Sequence, residues 1–312
     1  MSTKCMTRAG IAAIVLAAAC SRGARKDVTP PLGPQAPEAA AREAGLADPP
    51  QLTQAEMVEH ALSRVTFGAR PRDRAAIGNI SQFIEEQLHP ERIDDSALEK
   101  RLEAYDVLQR DSSSLVQELA EMRMKRKEGE APKGPRPGRD FVAQLTQVKL
   151  LRAVASERQL QEAMADFWFN HFNVFAGKEM EAALLPEYEA RVLRPNALGS
   201  FPELLLATAR SPAMLIYLDN WRNARRRLNE NYARELLELH TLGVDGGYTQ
   251  KDIIEVARCF TGWTVEQPQR DPRFVFRPRA HDYGIKHVLG QVIAPGRGEE
   301  DAEEVLHILA AH

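Results

Sequence analysis

Two histidines stand where the residue pattern leaves little room for water and a third stands at a turn, and they are the side chains with which this chain would do chemistry. Wound as an α-helix at about 100° per residue, residues 229–242 place Tyr232, Ala233, Leu236, Leu237 and Leu239 on one side. His240 falls near the centre of that side, while Glu230, Asn231, Arg234, Glu235 and Glu238 take the other. Over 160–175 the same projection aligns Leu160, Ala163, Met164, Phe167 and Trp168, with His171 projecting among them and Phe172 and Phe175 following. A third imidazole, His281, precedes Asp282 in a stretch that reads as a turn. Burial disfavours imidazolium, so such rings are neutral near pH 7 and offer one donor and one acceptor each. Taken singly, each histidine reads as a core residue satisfied by a backbone carbonyl. Taken together, His171, His240, His281 and Asp282 would serve general acid–base catalysis, and His171, His240, Glu235 and His281 would hold one divalent metal ion.

The surrounding sequence offers no local ligand spacing to reinforce that set. There is no H-E-x-x-H, no cysteine pair, no G-x-S-x-G and no phosphate-cradling glycine loop. Val244-Asp245-Gly246-Gly247-Tyr248 lacks the alternating oxygen ligands of a calcium loop and reads as a turn. Cys259 has no activating context and reads as a small buried hydrophobe.

The elements that must position these residues are mostly helical. Thr53 with Glu56 is a capping box ahead of Met57, Ala61, Leu62 and Val65, and Phe67-Gly68-Ala69-Arg70-Pro71 ends that helix. Helices are expected around 82–88 and 97–122, then over 141–156 and 159–175. Pro186, Pro195, Pro202 and Pro212 divide the next region into short helices, each proline suiting a first turn. Thr249 with Asp252 caps a helix whose buried stripe is Ile253, Val256, Ala257 and Phe260. Residues 274–276 and 287–293 read as short strands joined in one hairpin around His281-Asp282-Tyr283-Gly284. Ala302, Val305, Leu306 and Leu309 line a last helix. Two basic stretches, 123–139 and Trp221–Arg227, read as exposed loops, the first as a solvated insertion or, alternatively, a site for anionic lipid or polysaccharide.

The N-terminus reads as an address. Lys4 and Arg8 precede an apolar run, Ile11 to Ala19, that is too short to span a bilayer, which takes roughly 20 residues. Residues 1–20 are therefore expected to be a signal peptide with a lipobox-like end, Leu16-Ala17-Ala18-Ala19-Cys20. Cys20 would become the lipidated first residue and tie the protein to a membrane; the alternative is simple secretion. Residues 21–50, rich in Ala, Pro, Arg and Glu, suit a disordered tether. After processing only Cys259 and Cys20 remain, so stability must come from a hydrophobic core over 51–312 and not from disulfides. Forty-one basic against 44 acidic residues give a net charge of −3 and no global pull toward nucleic acid.

Several of these strings also carry a resemblance. Asn229 to Gly243 (NENYARELLELHTLG), Tyr248-Thr249-Gln250 with Asp252, and Thr261-Gly262-Trp263 closely resemble the signature of the bacterial Domain of Unknown Function 1800 family. So do His60 to Arg64 with Phe67-Gly68, Phe167-Trp168 with His171-Phe172, Met214-Leu215 with Tyr217 to Asn220, and His281-Asp282 with Gly284, Lys286 and Leu289-Gly290. The resemblance covers roughly residues 55–312. It implies an exported, largely helical protein with a sulfatase-like companion protein at the envelope as partner, and the N-terminal address places it in the periplasm or at the outer membrane. It also implies that the helical domain continues beyond His312, and the Arg225–Arg227 insertion departs from the shorter loop expected there.

The expectation is an all-α fold, a multi-helix orthogonal bundle with one small β-hairpin near residues 274–293. In function it reads as a lipid-anchored scaffold or partner-binding module of the envelope, or alternatively as an envelope hydrolase or metal-assisted enzyme with a buried His/Asp/Glu site. Carbohydrate binding through Trp221 and Trp263 is a weaker third reading.

Overall fold

The first described helix begins where side chains replace missing backbone partners. In a computed structural model, which describes residues 52–128, 137–178 and 180–312, Thr53 accepts from the Glu56 amide at 3.3 Å and the Glu56 carboxylate accepts from the Thr53 amide at 2.7 Å. This reciprocal cap starts helix Gln54–Val65. Val58, Ala61 and Leu62 are its buried residues, whereas Met57 is exposed. Gly68, at φ 122°, makes the following turn in a region that a side chain would strain. The signal peptide, Cys20 and the tether over 21–50 lie outside the described residues, as does part of the basic loop 123–139.

Helices Ser112–Lys127, Pro137–Ala155 and Glu181–Glu187 pack on one another, and Gln159–His171 lies against Pro137–Ala155. Phe141, Phe172, Tyr188, Tyr232, Phe260 and Trp263 are among the largest fully buried side chains of one continuous core. Each such side chain contributes roughly 1.5–3 kcal/mol of transfer free energy. A smaller cluster, Leu98, Leu102 and Val148, packs helix Ser96–Leu102 against Pro137–Ala155.

The prolines behave as expected at three of four places. Pro195, Pro202 and Pro212 occupy first turns. Pro186 instead lies inside helix Glu181–Glu187, and the chain continues as a π-helix over Tyr188–Leu193. Proline cannot donate to the helical ladder, so a local widening beside it is one way to keep the chain helical. A second π-helix, Leu236–Thr241, follows the short helix Asn231–Glu235. Thr249 caps helix Gln250–Cys259 together with Asp252, and Ile253, Val256, Ala257, Cys259 and Phe260 are buried as the spacing predicts.

The strands pair differently from the single hairpin expected over 274–293. β1 (Trp263–Glu266) runs antiparallel to β2 (Arg273–Phe276), with Trp263 opposite Phe276. β3 (Lys286–Val288) pairs separately with β4 (Gln291–Ile293) through a turn at Leu289-Gly290. Residues 281–284 thus connect two hairpins and do not close one. Helix Glu300–Ala310 buries Ala302, Val305, Leu306 and Leu309 against Phe201–Arg210 and Gln250–Cys259. Leu52–His312 forms one compact unit, and among the described residues no helix is long and apolar enough to cross a membrane.

Candidate functional site

His171 is the last residue of helix Gln159–His171, and His240 lies in the π-helix Leu236–Thr241. The two meet. His171 Nε2 stands 3.0 Å from the His240 carbonyl oxygen, and the ring centroids are 6.3 Å apart. A carbonyl only accepts, so Nε2 of His171 carries the proton, and this contact satisfies a carbonyl near the end of its helix. Phe172, fully buried, packs on His240 at 5.2 Å between ring centroids, and its own carbonyl accepts from Tyr188 Oη at 2.9 Å. The floor of the site is therefore rigid.

His240 is 5% exposed, and among the described residues no protein group hydrogen-bonds its ring nitrogens. Burial, reinforced by the nearby His171, pulls its pKa down to about 4. A neutral imidazole with an unclaimed donor and acceptor thus faces a cleft of about 480 Å³. Asn173, Lys178, Asn231, Glu235 and Leu239 are among the other residues lining it. Lys178 donates to the Tyr217 carbonyl and pairs with Asp219 at 2.9 Å, and Asn231 Nδ2 donates to the Leu218 carbonyl at 3.1 Å. Partial burial and the neighbouring Glu238 raise the pKa of the Glu235 carboxyl.

The π-helix explains why Glu235 and His240 share this cleft. Five residues apart on an α-helix they point about 140° away from each other. The wider π turn, held by Thr241 Oγ1 to the Leu236 carbonyl (2.7 Å) and Leu242 N to the Leu237 carbonyl (3.0 Å), winds both to one side. The same shift pushes Leu239 out: expected in the apolar stripe, it is 59% exposed at the cleft rim. Phe167, also expected inside, is 53% exposed and stacks on His171 with centroids 6.0 Å apart. What its helix buries instead is Glu162, salt-bridged to Arg194.

His281 and Asp282 do not join this site. His281 is fully buried, with Nδ1 2.7 Å from the Thr261 carbonyl and Nε2 3.2 Å from Asp301 Oδ2. Protein oxygens occupy both nitrogens, so neither is open to a metal or a substrate. The buried Lys286 binds the same Asp301 oxygen at 2.5 Å and also donates to the Asp282 carbonyl. Burial pushes the Asp301 carboxyl upward, but the bonds from His281 and Lys286 outweigh it and leave its pKa lowered. Asp282 is held by Arg258 through Nε (2.9 Å) and Nη2 (3.1 Å), which together with the Gly284 amide brings its pKa to about 2. Arg258 also ties down Glu255 at 2.8 Å. This is a structural lock between helix Gln250–Cys259, the 281–286 segment and the last helix, and Asp301 and Lys286 are members that spacing alone does not reveal.

The four-ligand metal set His171, His240, Glu235 and His281 therefore does not assemble, because His281 is committed elsewhere. Among the described residues no group of three or more His, Cys, Asp or Glu side chains is arranged to hold a metal ion. Cys259 is buried, and burial raises its thiol pKa well above the ordinary value, which leaves it inert.

The family described as protein of unknown function (DUF1800) matches residues 60–312. The chain belongs to the DUF1800 family. No curated protein and no solved structure is similar enough to match. The match to the DUF1800 family takes in both the His171–His240 cleft and the Asp301 lock.

Proposed function

We propose that this DUF1800 protein is a binding module of the cell envelope whose recognition site is the cleft at the His171–His240 contact. The observation that carries this reading is His240 itself: a buried, neutral ring with no protein partner for its nitrogens, facing a polar cleft. The ring nitrogens open on the cleft without a protein partner, so a ligand that accepts and donates a hydrogen bond there takes the place of water at positions the fold already fixes. Glu235, Asn231 and Asn173 supply further polar contacts, and the exposed Phe167 and Leu239 offer apolar surface beside them. The ligand class is a small polar molecule or chain end rich in carboxylate, amide or hydroxyl groups, of a size suited to about 480 Å³. Export, lipidation at Cys20 and a sulfatase-like partner belong to the same reading, resting on the N-terminal sequence and the family resemblance.

Isothermal titration of the full chain against a panel of small carboxylates, amides and monosaccharides tests the site. At least one class binds, and His240→Ala weakens it about tenfold or more, the equivalent of the lost hydrogen bonds. Equal affinity in wild type and His240→Ala overturns the assignment. Labelled-palmitate incorporation that persists in Cys20→Ser would remove the anchor.

A second reading, general acid–base catalysis at the same cleft, is favoured by one observation. A low-pKa imidazole and a carboxyl with raised pKa, His240 and Glu235, line it together. Turnover of ester or amide substrates, lost in both His240→Ala and Glu235→Gln, is its test.

A further inference from the structure

Two adjacent turns carry five arginines and no acidic residue: Arg225, Arg226 and Arg227 on one, Arg277 and Arg279 on the other. Residues 224–227 form a tight turn closed by Ala224 N to the Arg227 carbonyl (3.2 Å) and Arg227 N to the Ala224 carbonyl (2.7 Å). Beside it, Pro278–Ala280 is a single 3₁₀ turn. Arg225 N donates to the Ala280 carbonyl at 2.8 Å, Arg277 N to the Gly262 carbonyl at 2.8 Å, and Gly262 N to the Asn223 carbonyl at 3.2 Å. Gly262, at φ 88°, makes the stitch possible, since a Cβ there would stand 2.9 Å from the Arg277 carbonyl. Asn223, buried, anchors the far end through Nδ2 to the Ala257 carbonyl (2.8 Å) and Oδ1 from the Asn229 amide (3.0 Å). The two turns are one rigid platform.

All five side chains are exposed, and among the described residues none makes a side-chain hydrogen bond or ion pair. Their neighbours differ: Arg222 lies over Trp221 at 4.3 Å, and Arg273 pairs with Asp271 at 2.8 Å. The whole chain has net charge −3, so the residues outside this platform are acidic in sum, although the stretch 123–139 is itself basic. Like charges fixed side by side by backbone bonds repel, and only an external anion relieves them.

We propose that this arginine face docks the protein on a bilayer through anionic phospholipid headgroups. Guanidinium matches phosphate in a bidentate fork, and five arginines gathered on two adjacent turns form a compact face suited to a charged plane and not a long groove that tracks a polyanion. No free aromatic interleaves with the five arginines to stack bases; Trp221, in the same loop, is covered by Arg222. None of these arginines lines the His240 cleft, so ligand binding there and docking here stand or fall separately.

The test is co-sedimentation of the full chain carrying Cys20→Ser, so that no acyl anchor contributes, with phosphatidylcholine vesicles with and without phosphatidylglycerol. Binding requires phosphatidylglycerol and weakens with salt. Each arginine near an anionic surface is worth about fivefold in partitioning, so combining Arg225→Gln, Arg226→Gln, Arg277→Gln and Arg279→Gln lowers binding by about 100-fold or more. The same four positions changed to lysine keep binding within about tenfold, and circular dichroism of both variants matches the parent. Equal binding to pure phosphatidylcholine, unchanged binding by the glutamine variant, or tighter binding to duplex DNA at equal phosphate concentration overturns the proposal.

Discussion

Replacing His240 with glutamine should flatten the dependence of stability on pH in a defined window. In the unfolded chain this imidazole takes up a proton as pH falls through 6.5, whereas in the fold burial and His171 hold it neutral down to about 4. Between those values the unfolded state binds more protons, so stability is complete above 6.5 and falls as pH drops through the window. The slope is about 1.4 kcal/mol per pH unit, and its full extent is roughly 3 kcal/mol as an upper bound. Urea denaturation followed by fluorescence of the buried Trp263 reads it at several pH values. Other groups, such as the buried Glu189, whose pKa desolvation raises, titrate equally in both chains. The difference between wild type and His240→Gln isolates the one ring. Wild type should lose about 2–3 kcal/mol more than the variant across the window. Parallel curves would mean that this ring is solvated in the fold, and the reasoning about the cleft would fail with it.

Asp301→Ala leaves the fully buried Lys286 ammonium and His281 without their shared carboxylate. It should cost about 3–5 kcal/mol in urea denaturation, while Asp301→Leu combined with Lys286→Met restores most of that loss. Thr249→Ala removes one half of the cap on Gln250–Cys259 and should cost about 1 kcal/mol by the same assay. Trp263→Ala opens a cavity beside Phe260 and Phe274 and should cost about 3–5 kcal/mol, read as a drop in thermal midpoint.

Much of this architecture is legible from local spacing. The caps at Thr53 and Thr249 and the stripe Ile253, Val256, Ala257, Phe260 follow from i,i+3 and i,i+4 rules that need no tertiary information. The proximity of His171 and His240 is also anticipated, because both sit on helices that must bury one side. The projection fails where the helix itself changes pitch. An α-helical wheel places Glu235 opposite His240 and hides Leu239, and only the π turn over Leu236–Thr241 reverses both. Strands of three or four residues carry too little alternation to fix their partners, so β2 was free to pair with β1 and not with the 286–293 segment. His281 misleads for a different reason: its partner Asp301 lies 20 residues away, on a helix whose acidic first turn looks like ordinary solvent-facing charge.

Crystals of the full chain soaked with individual carboxylates, amides and sugars would examine the cleft most directly. Electron density for a bound fragment within hydrogen-bond reach of the His240 ring, absent from His240→Ala crystals, is the expected result. Fragments that bind only elsewhere, or a His240 ring turned away to a protein partner, would contradict a recognition site built on this histidine.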